Sequence, residues 1–286
     1  YTPIIDISSD IIQDVAEVSD EYMDNESNTP REKFNLLLIE DNEDILYTMK
    51  NILQKRYNVY AAVNGKVGYD IIQNNDIDIV VSDVMMPEMD GLELCRAIKS
   101  NIETSHISVI LLTAKSSVED RIECYDAGAD GYIAKPFELK VLEARINNFL
   151  SHKKDKQKEF KSNVEINIGT LEYPLLDEQF LNNVIQLIET HLSDSNFDIS
   201  FFADQMHMSK SSLYRKLKTM TGLTPVEFIR NIRLKHACQM LGNSNITISE
   251  VAYTVGFTDP RYFGTCFKNE FGMTPGEYQK RHTRAK

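Results

Sequence analysis

The stretch Val80–Gly91, with the sequence VVSDVMMPEMDG, decides the fold of the N-terminal half of the chain. It continues a short apolar run rich in β-branched residues, places a carboxylate at Asp83, and leads through a turn into a helical pattern. Near-continuous apolar runs are typical of strands that are covered on both faces of a parallel sheet. The stretch therefore predicts a buried strand with an acid at its carboxyl end.

The same strand-then-helix unit occurs five times between residues 34 and 150. The apolar runs lie at 34–39, 57–62, 77–82, 107–112 and 131–133, and the helical patterns lie near 44–56, 65–73, 91–100, 117–127 and 138–150. A regular alternation of strands and helices is typical of α/β domains. The sequence therefore predicts a doubly wound, five-stranded parallel sheet over residues 34–150.

Reactive and charged side chains follow the predicted strands. Glu40 and Asp41 follow the first strand, Asp83 ends the third, Thr113 ends the fourth and Lys135 follows the fifth. In doubly wound sheets, binding sites form at the carboxyl ends of the strands. Clustered acids need a cation, and oxygen ligands suit Mg²⁺, while lysine and hydroxyl groups bind phosphoryl oxygens. The pattern predicts a magnesium and phosphoryl site with Asp83 as nucleophile.

Four motifs make residues 34–150 resemble the response-regulator receiver family, whose fold is flavodoxin-like. They are LLIEDNED at 37–44, VVSDVMMPEMDG at 80–91, LLTA at 111–114 and YIAKPF at 132–137. Each motif alone is compatible with an ordinary loop or turn. Together, in this order, they indicate a receiver domain.

The resemblance implies a role for each matching residue. Asp83 is the expected phosphoacceptor, which takes and loses a phosphoryl group, so no enzyme activity is expected of this segment. The expected magnesium ligands are Glu40, Asp41, Asp83 and the backbone carbonyl of Met85, with Asp41 and Asp83 as direct ligands. Lys135 and Thr113 contact the phosphoryl group, and Tyr132 matches the aromatic that turns inward when Thr113 moves. An aspartyl phosphatase would carry a second acid where this chain has Met85.

From about residue 175 the sequence pattern is helical throughout. Candidate helices lie at 177–192, 199–206, 210–220, 225–241, 247–255, 260–270 and 275–282. Two segments, 199–218 and 248–268, each contain a short helix with an interior alanine, a tight turn and a second helix. A small residue lets two helices approach closely, so each segment is interpreted as a helix-turn-helix unit, whose second helix enters the major groove of DNA.

The C-terminal half resembles the AraC-type DNA-binding domain over about residues 180–284. The resemblance rests on TGLTPVEFIR at 221–230 and FGMTPGEY at 271–278. It implies that both second helices contact adjacent major grooves of double-stranded DNA. The candidate DNA-binding residues are Lys210, Ser211, Ser212, Tyr214, Arg215 and Lys218 in the first unit and Asp259, Arg261, Tyr262, Thr265 and Lys268 in the second. An exposed lysine is often merely solvated, so contact with a DNA base is not assigned to every candidate residue.

Charge and cysteine content narrow the functional classes. The formal net charge of −12 is divided into −7 over residues 1–33, −8 over 34–150 and +3 over 151–286. Nucleic-acid contact is therefore expected in the C-terminal half. The four cysteines lack the spacing of zinc ligands, which favours a reduced core and a cytoplasmic location.

The predicted organisation has four parts. Residues 1–33 form an acidic linker or the tail of an upstream kinase domain, 34–150 the receiver, 151–176 a linker or helix extension, and 177–286 the DNA-binding domain. The chain begins at Tyr1 without a methionine, so we interpret it as the C-terminal part of a hybrid two-component protein, whose upstream sensor would anchor it to a membrane. The alternative is a stand-alone response regulator. Neither a signal peptide nor a membrane-spanning run is predicted in this segment.

Together these predictions describe a phosphorylation-dependent, sequence-specific transcription regulator of a two-component system. Its expected partners are double-stranded DNA, a cognate histidine kinase that lies on the same polypeptide in the hybrid interpretation, and a second phosphorylated copy in a homodimer. The alternative is a phosphorelay module whose helical half binds protein rather than DNA.

Overall fold

The computed structural model describes residues 33–114, 117–162, 173–195, 197–242 and 246–283. The predicted acidic segment and its interpretation as a kinase tail therefore lie outside the described residues, apart from Lys33. From Asn35 onward the described residues form one compact unit. None of the helices in these ranges combines the length and apolarity of a bilayer-spanning segment.

The N-terminal half is a five-stranded, all-parallel sheet with strand order β2-β1-β3-β4-β5. The strands are β1 (Asn35–Ile39), β2 (Asn58–Ala62), β3 (Ile79–Asp83), β4 (Ser108–Thr113) and β5 (Gly131–Ala134). The helices between and after them are α1 (Glu43–Leu53), α2 (Gly65–Asn74), α3 (Gly91–Ser100), α4 (Val118–Asp126) and α5 (Leu139–Ser162). The predicted doubly wound sheet is confirmed, and every residue of β3 is buried, as its apolar run predicts.

The strand order places the site. The direction of winding reverses between β1 and β3, which are hydrogen-bonded neighbours with Ile39 paired to Ser82. The residue that follows each of these is an acid: Glu40 comes directly after Ile39, and Asp83 comes directly after Ser82. The two carboxylates therefore lie side by side. Such a reversal point is where doubly wound sheets hold their ligands.

The C-terminal half is helical, as predicted. Its helices are α6 (Leu175–Thr190), α7 (Ile199–Gln205), α8 (Lys210–Thr221), α9 (Pro225–Leu241), α10 (Ile248–Thr254), α11 (Pro260–Phe271) and α12 (Pro275–Thr283). Helices α7 and α8 form the first helix-turn-helix unit, and α10 and α11 form the second. The interior alanines of α7 and α10, Ala203 and Ala252, are fully enclosed. Gly222, Gly256 and Gly272 have positive φ angles, as expected for residues that end helices in a left-handed conformation.

Helix α5 runs without a break from the sheet domain to a contact with the helical half. It has 24 residues and is therefore about 36 Å long. In its first half, Asn147 accepts a hydrogen bond from the Tyr57 hydroxyl at 2.8 Å. Near its end, Phe160 is buried among helical-half residues and stacks on Phe228 with ring centroids 5.4 Å apart. The first part of the predicted linker, 151–162, is thus a helix extension.

Candidate phosphoryl site and DNA interface

Three acids converge at the carboxyl edge of the sheet. One carboxylate oxygen from each of Glu40, Asp41 and Asp83 lies within 4.8 Å of the others. Glu40 and Asp83 are buried, whereas Asp41 is exposed. Solvent therefore reaches the group at Asp41, as a site that admits a small ligand requires.

Lys135 closes the pocket from the fifth strand. Its Nζ lies 2.7 Å from an oxygen of Glu40 and 2.7 Å from an oxygen of Asp83. Burial disfavours the charged ammonium, but hydrogen bonds and charges from Asp83 and Glu40 outweigh it, and the pKa of Lys135 is raised. Burial also raises the pKa of Glu40, against the hydrogen bond from Lys135. Lys135 is thus held as a cation between two carboxylates.

The remaining predicted receiver residues lie at the end of β4, just after β3 and on β5. Thr113 ends β4 and is buried, and its carbonyl accepts a hydrogen bond from the backbone of Lys135 at 2.7 Å. Met85 is 59% exposed, and its backbone N–H donates to a carboxylate oxygen of Asp83 at 3.4 Å. Tyr132 on β5 packs edge-on against Tyr125 of α4, with ring centroids 5.7 Å apart.

Gly91 fixes the backbone that carries Asp83. The N–H of Gly91 donates to the carbonyl of Val84 at 3.0 Å. A Cβ at this position would collide with the carbonyl oxygen of Asp83. The first helical residue after the loop that follows β3 must therefore lack a side chain.

Gly91→Ala is expected to destabilise the protein by about 1–3 kcal/mol, because a well-packed site cannot take an added methyl without a backbone shift. The shift falls on Asp83, so the rate of the phosphoryl uptake that the sequence predicts for Asp83 should fall as well. Urea unfolding and phosphoryl incorporation measure the two effects. Gly264→Ala is the control: its Cβ would meet nothing within 4 Å, and inside a helix the change should stabilise by about 0.5–1 kcal/mol. Equal behaviour of the two variants would contradict the role assigned to Gly91.

The second predicted recognition helix, α11, is open to solvent. Each of its candidate residues is exposed: Asp259, Arg261, Tyr262, Thr265 and Lys268. Its opposite face is anchored by Phe263 and Phe267, which are fully buried. Asp259 caps the helix by accepting a hydrogen bond from the backbone of Arg261 at 2.8 Å. A polar face is thus presented on a rigid helix.

The first predicted recognition helix, α8, is partly covered. Lys210 and Ser211 are exposed, but Ser212 is buried. Tyr214, Arg215 and Lys218 are half-buried. Groups of the sheet domain cover Ser212 and Arg215, so the two predicted recognition helices have different environments in this structure.

Lys216, which was absent from the predicted site residues, is the most enclosed cation of the described residues. It is fully buried, and its Nζ donates to Asp177 at 2.6 Å and to Ser105 at 2.9 Å. Burial lowers the pKa of Lys216, although Asp177 counteracts this effect. Ser105 also donates to Asp177 at 2.6 Å. Because Ser105 belongs to the sheet domain, this buried cluster connects the two halves.

Comparison with known proteins gives two family matches. Residues 36–147 match the model of the response regulator receiver domain, and residues 202–281 match the model of a helix-turn-helix domain. "Histidine kinase P4" of Formosa agariphila is 39% identical over 255 residues, which are 89% of this chain; the chain spans only 19% of that protein. "Probable transcriptional regulator ycf27" of Cyanidium caldarium is 33% identical over 178 residues, covering 59% of this chain and 69% of that protein.

A solved structure also matches the sheet domain. The receiver domain of a signal transduction histidine kinase from Syntrophus aciditrophicus is 34% identical, covering 41% of this chain and 90% of that one, with a TM-score of 0.40. In the present chain, the acidic pocket lies within residues 36–147, and both α8 and α11 lie within residues 202–281. The chain therefore belongs to the response-regulator family and joins a receiver domain to a helix-turn-helix DNA-binding domain of the AraC type.

Proposed function

We propose that the protein is a transcription regulator whose sequence-specific binding to DNA is controlled by phosphorylation of Asp83. The observation that carries the proposal is the pocket in which Glu40, Asp41 and Asp83 converge and Lys135 pairs with two of them. This pocket lies on the same chain as two helix-turn-helix units. One chain thus carries both a group that accepts the phosphoryl signal and a domain that binds DNA in response to it.

The donor set of the pocket fits Mg²⁺. Three carboxylates against one ammonium leave an excess of negative charge, and hard oxygen ligands with an open side suit an ion that keeps several waters. Asp41 and Asp83 would hold the ion directly, together with the carbonyl of Met85, and Glu40 would supply the third carboxylate. When bound, the ion would neutralise charge on the carboxylates and on an incoming phosphoryl group.

The chain's own residues account for the transfer step. A carboxylate oxygen of Asp83 forms a bond to phosphorus as the P–N bond of a phosphohistidine donor breaks, and the departing imidazole nitrogen takes up a proton. Lys135, already 2.7 Å from Asp83, pairs with the phosphoryl oxygens, and the Thr113 hydroxyl donates to one of them. The product is an aspartyl phosphate, which carries about two negative charges.

The partners follow from the two halves. The similarity to a histidine kinase over 89% of this chain supports a kinase on the same polypeptide as the phosphoryl donor. Tyr132 contacts Tyr125 on α4, where Val118 and Ile122 are also exposed. A movement of Tyr132 would therefore alter an exposed apolar face, which we assign to a receiver–receiver dimer. A dimer places two DNA-binding domains on one duplex and so raises the affinity.

The test measures affinity for DNA from upstream of the gene's own locus, with and without beryllium fluoride and Mg²⁺. Beryllium fluoride mimics a phosphoryl group, so binding should tighten about 10- to 100-fold, within the usual range of such couplings. Asp83→Asn should remove this gain and leave the basal affinity unchanged. Random DNA is the control, because specific complexes resist salt better than non-specific ones. If beryllium fluoride still tightens DNA binding by Asp83→Asn, control by phosphorylation of Asp83 is wrong. If the protein binds random DNA with equal affinity, sequence-specific DNA binding is wrong.

A further inference from the structure

The positive charge of the C-terminal half is concentrated in the last part of α5. Residues 151–162 carry five lysines and two acids, a formal charge of +3, whereas residues 163–286 carry 13 acidic and 13 basic residues. Of these basic residues, Lys216 and Lys235 are buried and do not face solvent. The end of α5 therefore supplies the whole net positive charge of this half, and such charge is what a protein uses to neutralise DNA phosphates.

Three of these lysines lie on one face of α5. Lys154, Lys158 and Lys161, here called the lysine stripe, are all exposed. They are spaced by four and three residues, and this spacing brings side chains into one row along a helix. Like charges in a row repel one another, so the stripe is stabilised by a polyanion that binds along it.

The other charged residues at the end of α5 do not neutralise the stripe. Lys153 donates to Asp78 at 2.6 Å, and the Nζ of Lys156 lies 5.3 Å from the ring centroid of Tyr173, so both of these lysines contact the protein. The two acids each follow a stripe lysine by one residue and are therefore turned about 100° away from it. Asp155 approaches Lys158 only to 3.8 Å, at an exposed position, where an ion pair contributes little.

The end of α5 is attached to the helical half. Gln157, which lies between the stripe residues in sequence, donates to the carbonyls of Lys218 and Thr219 near the end of α8, at 3.3 and 2.7 Å. Phe160 is buried and stacks on Phe228 of α9, with ring centroids 5.4 Å apart. The stripe therefore belongs to the same packed body as the helix-turn-helix units.

The position of the stripe beside α8 indicates which part of DNA it would contact. Lys161 adjoins Gly222, the residue that ends α8: a Cβ on Gly222 would lie 3.2 Å from the Cε of Lys161 and 3.3 Å from its Nζ. A recognition helix lies in the major groove, and groups at its C-terminal end lie near the sugar–phosphate backbone. On the basis of the proposed function, we propose that the lysine stripe binds the phosphates of double-stranded DNA that flanks the sequence read by the helix-turn-helix units.

The stripe lies between the two segments that match known domains. The receiver match ends at residue 147 and the helix-turn-helix match begins at residue 202, so neither match includes it. Contacts with phosphates carry no sequence information. The stripe therefore adds affinity for any DNA, and the choice of sequence stays with the two recognition helices. A membrane with anionic lipids also attracts lysines, but the attachment to α8 favours DNA.

Replacement of all three stripe lysines by glutamine tests the proposal. The affinity of the full chain for DNA from upstream of its own locus, and for random DNA, is measured at about 0.05–0.2 M salt, where phosphate contacts have a large effect. The slope of log K against log salt concentration should become shallower by about 2–3, because each phosphate contact contributes about 0.9. Affinity for both DNAs should fall by a similar factor, about 10- to 100-fold. Hydroxyl-radical footprints should lose protection on one side of the bound sequence.

Two controls separate a phosphate contact from other effects of the change. Replacement of the same three lysines by arginine keeps the charge and should keep the slope and the footprint. Replacement of Lys33, Lys55 and Lys66, which are exposed lysines of the N-terminal half, by glutamine removes the same charge elsewhere and should leave the slope unchanged. Circular dichroism of each variant confirms that it is folded.

The possible results separate this proposal from the proposed function. If the glutamine variant of the stripe keeps the wild-type slope, the stripe does not bind phosphates. If the control at residues 33, 55 and 66 loses as much slope, the effect is one of net charge and the proposal is wrong. It is also wrong if the stripe variant keeps its slope for DNA but loses binding to phosphatidylglycerol vesicles. If the wild type does not prefer its own DNA over random DNA, the proposed function fails, whereas the slope on random DNA still tests the stripe.

Discussion

Asp177→Ala is expected to lower the free energy of unfolding by about 3–5 kcal/mol, because it leaves a buried ammonium without its counter-ion. Lys216 is fully buried, and Asp177 is only 2% exposed, with Nζ and the carboxylate oxygen 2.6 Å apart. The ring of Phe180 lies 4.9 Å from the same Nζ, so the surroundings are apolar. Water cannot replace the lost carboxylate there. Urea unfolding of the two proteins measures the difference.

A double-mutant cycle separates the missing partner from the missing packing. Lys216→Met removes the charge and keeps much of the chain length, so Asp177→Ala combined with Lys216→Met should be more stable than Asp177→Ala alone. The control is Asp155→Ala, which breaks an exposed pair with Lys158 at 3.8 Å and should change stability by no more than about 1 kcal/mol. If the changes in the free energy of unfolding caused by Asp177→Ala and by Lys216→Met add up to the change in the double variant, the two residues do not act as a pair.

The acidic pocket could be predicted from the sequence because its signals are local. Asp83 directly ends an apolar strand run, and Glu40 directly follows another. Parallel strands carry such residues to one edge, so spacing along the chain becomes proximity in space. The position of Lys135 could be predicted for the same reason, because it directly follows the fifth strand. The structure places its Nζ against both acids, although nothing in the spacing specified which oxygens it would contact.

The buried cluster at Lys216 could not be predicted, because its partners are distant in sequence. Lys216 lies 111 residues from Ser105 and 39 from Asp177, and a lysine in an amphipathic helix ordinarily predicts a solvated position. The lysine-rich run before Phe160 gave a similar signal of solvation. Phe160 is instead buried against α9, because packing between the two halves outweighs local composition there.

Lys235 shows how the end of α5 is held. It is 2% exposed, and its Nζ donates to the carbonyl of Phe160 at 2.9 Å and lies 4.7 Å from that ring. Burial lowers the pKa of Lys235 to about 8, and the charge of Glu270 counteracts this only in part. In an unfolded chain the pKa of a lysine is about 10.4. The folded state thus holds this proton less tightly than the unfolded state does.

The sign of the resulting pH dependence follows from that difference. Below about pH 8 both states are protonated, and the folded state bears the full cost of the buried charge, about 3 kcal/mol. Between about pH 8 and 10.4 the unfolded state binds more protons, so stability rises with pH.

Lys235→Met should therefore be more stable relative to the wild type at pH 7 than at pH 9.5, by about 2 kcal/mol. Urea unfolding at both pH values measures this, with Lys268→Met, at an exposed position of α11, as control. If the difference between wild type and Lys235→Met stays constant with pH, the ammonium of Lys235 carries no such cost, and its hydrogen bond to Phe160 fully compensates its burial.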